Sequence, residues 1–334
     1  MELVAISKGG EELGIIEPIS ADFAFGSSEN SFEIEVPNID YMEPGTLVVA
    51  YGTEVGGRIV GVDDTSSLST LKLVGKTWHG ILEQSIICPP SGSEYRTVTG
   101  DARSVLRSLV SAIGMADYFG VKTGNSGISI SGYKMVNEDY ADDDQGRYAP
   151  AYSSIVRMLL EHGAKLTMEY SVEYDKVILN AEAQYDWSQD DEWDSDYCSV
   201  GIRMEPFVNH LIILGSGEGA TRERTDMYIN KNGKVVSSPT LLGMDRWMDV
   251  YDFNNAKDEA QITANGKKRL RQGFMDATKV DVDFKAEDDT FHVGDIVGAI
   301  DSRTGISASA TICKKIYKYT QNDGWRVSYE TGDF

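Results

Sequence analysis

Cysteine and histidine are scarce in this 334-residue chain and widely scattered. Cys88, Cys198 and Cys313 are odd in number and form no CxxC unit, which excludes a dense disulfide framework and leaves three ordinary reduced thiols. His79, His162, His210 and His292 give no closely spaced ligand pair, so no local zinc site is expected. No run is long and apolar enough to cross a membrane, and the N-terminus lacks the basic-then-apolar order of a signal peptide. A soluble protein or an assembly component is therefore expected. Positive charge is also short: 31 Lys and Arg face 53 Asp and Glu, for a net charge of −22. That balance argues against a nucleic-acid-binding surface, and it predicts repulsion between copies at low salt unless apolar contacts or cations offset it.

What is present suffices for several cores. The hydrophobic fraction is 41% and the charged fraction 25%, as in an ordinary soluble chain, and the length allows two to four modules. Residues 1–95 read as a β-rich module. Ser31 to Val36 alternates apolar and polar residues, and Thr46 to Tyr51 forms another strand. Gly56 to Asp63 and Thr70 to Trp78 form a hairpin across the polar turn Asp64 to Ser67. Trp78 to Ile87 continues with a bend at Gly80 and a final strand, and Trp78 reads as a core or subunit contact rather than a sugar platform. Pro89 and Pro90 mark a boundary.

Residues 96–199 read as an α+β module. Asp101 caps a helix from Ala102 to Ile113, whose Val105, Leu106, Leu109, Val110 and Ile113 make one buried stripe. A second helix begins at Ser153 or Ser154 and ends at Gly163, followed by strands Lys165 to Tyr170 and Lys176 to Ala183. Ser126 lacks the surroundings of a nucleophile elbow, and His162 reads first as a helix C-terminal residue. The acidic segments Glu138 to Asp144 and Asp186 to Asp196 could bind a cation, but neither has the ligand order of a calcium loop, and both read as solvated turns.

Residues 200–278 hold the stretch around which the chain is organised. Leu211 to Leu214 is a short β-branched strand that runs into Gly215, Gly217 and Gly219. A phosphate loop would need a helix next, but Thr225 to Ile229 is strand-like and Asn230 to Gly233 is a turn. The glycines therefore read as a β-connection, and no cofactor is expected. Asp245 to Asn255 reads as irregular. A third helix, capped by Asn255, runs to Arg271 or slightly beyond, with Ala256, Ala260, Thr263, Lys267 and Leu270 as its contact stripe. Lys267, Lys268, Arg269 and Arg271 read as a solvated face. Residues 279–334 return to strands, at Val280 to Phe284, Phe291 to Ile300, Ile306 to Tyr319 and Trp325 to Tyr329. Gly57 to Asp63 and Gly294 to Asp301 echo each other, suggesting similar modules at the two ends.

Three groups of residues resemble the Gp37-like tail proteins of long-tailed phages, which are related to baseplate hub and tail-associated proteins. They are Gly57-Arg-Ile-Val-Gly61 with Trp78-His-Gly-Ile81; Asn209-His-Leu-Ile-Ile-Leu-Gly-Ser-Gly-Glu218 with Arg222; and Val293-Gly-Asp-Ile-Val-Gly298 with Ile312-Cys-Lys-Lys-Ile316. The resemblance implies a multidomain β-rich α+β fold with two β-barrel-like tube modules and intervening α/β modules. It marks Gly57, Trp78, Asn209, Gly215, Gly217, Arg222, Gly294, Asp295 and Lys315 as assembly or structural positions. It also implies a homotrimeric ring in a virion tail tip or baseplate, assembled in the bacterial host cytoplasm. Such a ring would join tail-tube or distal-tail proteins to adsorption or tip proteins and pass DNA without binding it specifically. No catalytic, cofactor-binding or metal-binding residue is implied. Two other readings stay open: a carbohydrate-binding or glycoside-hydrolysing surface at Trp187 and Trp193 with their neighbouring carboxylates, and a hub of a contractile injection particle or domesticated prophage.

Overall fold

A computed structural model describes residues 1–37, 42–64, 70–140, 144–189, 198–253, 259–284, 289–300, 307–332 and 334. The chain divides into two compact units: Met1–Ser199 with Val282–Ile300 and Ile306–Phe334, and Val200–Asp281 with Asp301–Gly305.

In the first unit both chain ends enter one ten-stranded antiparallel sheet. Its order is Glu12–Ile16, Leu3–Ile6, Leu47–Val49, Gly56–Asp64, Thr70–Thr77, Ser31–Pro37, Ser20–Gly26, Ser307–Thr320 and Ile296–Ile300, with Gly324–Thr331 also pairing Ser307–Thr320. Ser31–Pro37 alternates as its sequence predicts: Phe32, Ile34 and Val36 are buried among Phe23, Phe25, Leu71 and Leu73, while Glu33 faces out. The N-terminal and C-terminal strands thus share one sheet and one apolar face. None of the sheets closes into a barrel among the described residues.

Four helices are described: α1 (Trp78–Glu83), α2 (Ala102–Ala112), α3 (Ala151–Glu161) and α4 (Glu259–Ala277). Helix α1 stands where a bend and strand were expected. Thr77 caps it by accepting from the Gly80 N–H, so Gly80 lies inside a helix and only Ile86–Ile87 is strand. Helix α2 follows its predicted stripe and its Asp101 cap. Helix α3 starts before Ser153, directly after Pro150, and Ser154 is buried within it, donating to the Val136 carbonyl. These helices and the sheet Phe119–Val121, Lys176–Ala183, Ala164–Ser171 enclose a second core.

The second unit is a four-stranded sheet, Val235–Val236, Arg224–Ile229, His210–Leu214 and Met248–Asp252, with α4 on one face. Its end strands, Cys198–Met204 and Thr278–Phe284, pair with each other. The glycine-rich stretch is indeed a connection between antiparallel strands His210–Leu214 and Arg224–Ile229. Met248–Asp252, read as irregular, is a strand parallel to His210–Leu214. The expected α4 stripe holds at Leu270, which is buried, but is corrected elsewhere: Lys267 is exposed, and Ile262, Gly266 and Ala277 are buried instead. Gly266 brings the helix close to the sheet, since a Cβ there would lie 2.3 Å from Ile213 Cδ1 and 2.4 Å from Met227 Sδ. The expected cap Asn255 and Ala256 lie outside the described residues, as do most of the turn after Asp64 and much of both acidic segments, including Trp193.

Candidate assembly surface

The nine residues singled out in the sequence do not converge on one cleft. Gly57 sits where two strands approach closely; a Cβ there would lie 2.0 Å from the Lys76 carbonyl oxygen. Trp78 is buried and stacks on Tyr170 with ring centroids 5.9 Å apart.

Gly294, Asp295 and Lys315 belong to a buried charged framework in the first unit. Gly294 adopts φ +100°, and its N–H donates to the Ile312 carbonyl at 2.8 Å. That turn shortens the expected strand Phe291 to Ile300 to Ile296–Ile300. It lets fully buried Asp295 accept from Lys165 Nζ at 2.7 Å, from the Tyr185 N–H at 3.1 Å and from the His292 N–H at 3.0 Å. Lys315 is equally buried. Its Nζ donates to Glu54 Oε1 at 2.6 Å and to the Phe291 carbonyl at 2.7 Å, and it pairs with Asp289. Three ammonium protons thus have three acceptors, which offsets the large desolvation cost of a buried cation. The rings of Tyr317 and Tyr329 lie 5.1 and 5.6 Å from the same nitrogen.

Electrostatics follow the geometry. Burial pushes the Glu54 carboxyl up, but Lys315, His292 and His79 together outweigh it and hold the group below the ordinary carboxylate range. Burial likewise pushes Lys315 down, yet Glu54 and Asp289 raise it above an ordinary lysine. His79, stacked on Phe25 at 4.2 Å, is pushed down to about 4 by burial and stays neutral near pH 7. A general acid for glycoside hydrolysis needs a raised carboxyl pKa, the opposite of what Glu54 has, so this cluster suits fixing segments in place better than proton transfer. A polar cleft of about 600 Å³ beside it is lined by Glu54, Lys122, Asn180, Glu182, Asp289 and His292, among others.

Other candidates are occupied structurally. Ser126 Oγ donates to Asp101 at 2.7 Å, and His162 Nδ1 lies 2.7 Å from the Met158 carbonyl. Trp187, the anchor of the carbohydrate reading, is half-buried, with ring centroids 4.2 Å from Tyr185 and 5.0 Å from Phe291. Among the described residues no group of three His, Cys, Asp or Glu could hold a metal ion.

In the second unit the singled-out residues frame an exposed apolar strand. Buried Asn209 donates through Nδ2 to the Asp245 carbonyl at 2.8 Å and accepts from the Trp247 N–H at 3.3 Å. At the other end, Arg222 donates to the Gly215 carbonyl at 2.9 Å and to Asp252 Oδ2 at 3.1 Å, beside Gly217 at φ +104°. His210 Nδ1 accepts from Arg246 Nε at 3.2 Å, which leaves Nε2–H to donate to Asp226 at 2.6 Å. These bonds hold the loop and edge strand that expose Leu242, Met244, Trp247, Met248 and Val250, with Met244 97% accessible. Five large exposed apolar residues within nine, on and just before a strand that among the described residues is an edge of its sheet, have the character of a contact surface. Sequence reading missed this surface. The alternation of Met248, Val250 and Asp252 against Asp249 and Tyr251 was the available signal, but here it is the apolar side that faces solvent.

No family model and no curated protein matches this chain. Solved structures do. A prophage MuSo2 43 kDa tail protein from Shewanella oneidensis aligns at TM-score 0.56 and 11% identity, covering 99% of this chain and 98% of that one. A tail protein from Neisseria meningitidis MC58 aligns at 0.51 and 13%, covering 99% and 96%. A chain of the p2 virion baseplate in its activated conformation aligns at 0.51 and 12%, covering 100% and 99%. Throughout its length, then, this chain has the fold of phage tail and baseplate proteins.

Proposed function

We propose that the chain is a structural component of a bacteriophage tail tip or baseplate hub. Three copies form a ring that connects the tail tube to distal adsorption machinery and lets DNA pass. The observation that carries this reading is the likeness to tail and baseplate proteins over nearly the full length of both partners, which involves the whole architecture and not one shared module. In this reading residues 1–95 and 279–334, whose strands share one sheet, together supply the tube-facing β-surface, and residues 96–199 and 200–278 supply the modules inserted between them. Gly57, Trp78, Asn209, Gly215, Gly217, Arg222, Gly294, Asp295 and Lys315 serve as the rigid anchors of those modules. The net charge of −22 supports a lumen that repels passing DNA. The exposed strand Met248–Asp252 supports contact with neighbouring tail proteins. The work is done by repeated geometry, and the reading requires no catalytic group.

The protein belongs in the virion tail, assembled in the host cytoplasm. Gold-labelled antibody against the chain, applied to purified particles and viewed by electron microscopy, tests the placement. Label at one tail end is expected; particles whose tails carry no label at either end would overturn it.

A further inference from the structure

Charge is unevenly divided along the chain. Residues 200–281 carry 12 basic and 11 acidic side chains, whereas the rest of the chain carries 19 and 42. The near-neutral segment also gathers its cations. On α4, Lys267, Lys268 and Arg271 are exposed and, among the described residues, make no ion pair. Their neighbour Arg269 is occupied by Asp249 at 3.5 Å and by the Tyr251 ring, and Asp276 on the same helix accepts from Gln272.

The ten-stranded sheet carries the opposite pattern on its solvent face. Asp22, Glu33, Glu35 and Asp63 line a groove of about 620 Å³ with only Lys72 and Lys318 to balance them. Asp22 lies directly opposite Glu33 across a strand pair, a like-charge placement that is unfavourable by itself. Lys72 takes Glu33 at 2.6 Å and Lys318 takes Asp22 at 3.3 Å. Glu35 and Asp63, both in register with Lys72, have no cation within salt-bridge distance among the described residues. They sit two strand spacings apart, about 9.5 Å. Lys267 and Arg271 are one helical turn apart, about 6 Å, a difference that long side chains bridge.

We propose that the basic face of α4 docks on this acidic sheet face of a second copy of the same chain. Such a contact is head-to-tail and closes into a ring when the rotation allows it. It also answers how a chain of net charge −22 associates with itself, because the contact joins its least acidic surface to a strongly acidic one. The proposal rests on the ring reading above and supplies the contact that would hold it.

Charge exchange tests it in the full-length protein, with mass read by light scattering. Lys267→Glu/Lys268→Glu/Arg271→Glu should weaken self-association about a hundredfold or more, and so should Glu35→Lys/Asp63→Lys. Both sets of substitutions combined in one chain should restore self-association, because every reversed helix face then meets a reversed sheet face. Wild-type association should also weaken as salt rises from about 0.1 to about 1 M, where the screening length falls from about 10 to about 3 Å. All the substituted side chains reach solvent, so circular dichroism should show an unchanged fold. A wild-type oligomer that persists in both variants overturns this contact and leaves the ring reading standing. Wild-type protein that stays monomeric at every salt and concentration, alone and with tail proteins, overturns both. Duplex DNA bound by the wild type and released by the helix variant, with no change in mass, would assign the basic face to nucleic acid instead.

Discussion

Lys315 sits without solvent contact between Glu54, Asp289 and the Phe291 carbonyl, so an apolar replacement strands Glu54 in the interior. Lys315→Met should cost about 3 kcal/mol or more in urea unfolding, because an uncompensated buried charge is left behind. Lys72→Met, which breaks an exposed pair of similar length, should leave the midpoint nearly unchanged. The same centre sets pH dependence. Glu54 titrates below its unfolded value, so its contribution is present above about pH 4.3 and is lost as pH falls through the folded value. Lys315 titrates above its unfolded value, so its contribution holds below about pH 10.4 and is lost as pH rises through the folded value. His79 acts first on the acid side. Its folded value of about 4 means that the unfolded chain takes up the proton earlier, so stability falls from about pH 6.5 downward, by about 3 kcal/mol in all. His79→Phe keeps a ring against Phe25 and should flatten that limb of the stability curve; an unchanged limb would show that His79 is not its source. Lys315 and Asp295 stood out in the sequence through motifs that resemble those of phage tail proteins. Glu54 did not, because it meets Lys315 from 261 residues away and no local pattern signals such a pairing.

At the scale of elements, the sequence was most readable where one face is wet and one dry. Helix α2 announced itself through Val105, Leu106, Leu109 and Val110 and through Asp101, and the strand Ser31–Pro37 through its alternation. Helix α1 was hidden because six residues give no periodicity, and the strand Met248–Asp252 because its exposed face is apolar. The close strand approach at Gly57 has a sharp consequence. Gly57→Ala pushes a methyl group into the Lys76 backbone carbonyl, which cannot rotate away, and should destabilise the protein by about 3 kcal/mol in thermal or urea unfolding. The exposed strand calls for a different readout. Met244→Ser/Met248→Thr/Val250→Thr should leave stability almost unchanged and weaken binding to distal-tail proteins about tenfold or more in a pull-down titration. Unaltered binding would remove this edge from the list of contacts.

For the whole molecule, the feature least visible in the sequence is the sheet that joins its ends. Lys314–Thr320 pairs with Ser20–Gly26, and nothing in either stretch names the other as its neighbour. The faint echo between Gly57 to Asp63 and Gly294 to Asp301 hinted at related ends but carried no pairing information. The exchange of charge between residues 200–281 and the remainder was countable from the start, and became meaningful only once α4 and the acidic sheet face had surfaces. The measurement that bears most directly on the hub is the mass of purified protein by light scattering, combined with electron microscopy, over a range of protein concentration and salt. A threefold ring with a central opening wide enough to continue a tail tube is the predicted result. A chain that remains monomeric throughout, and that also fails to join tail-tube or distal-tail proteins when mixed with them, would contradict it.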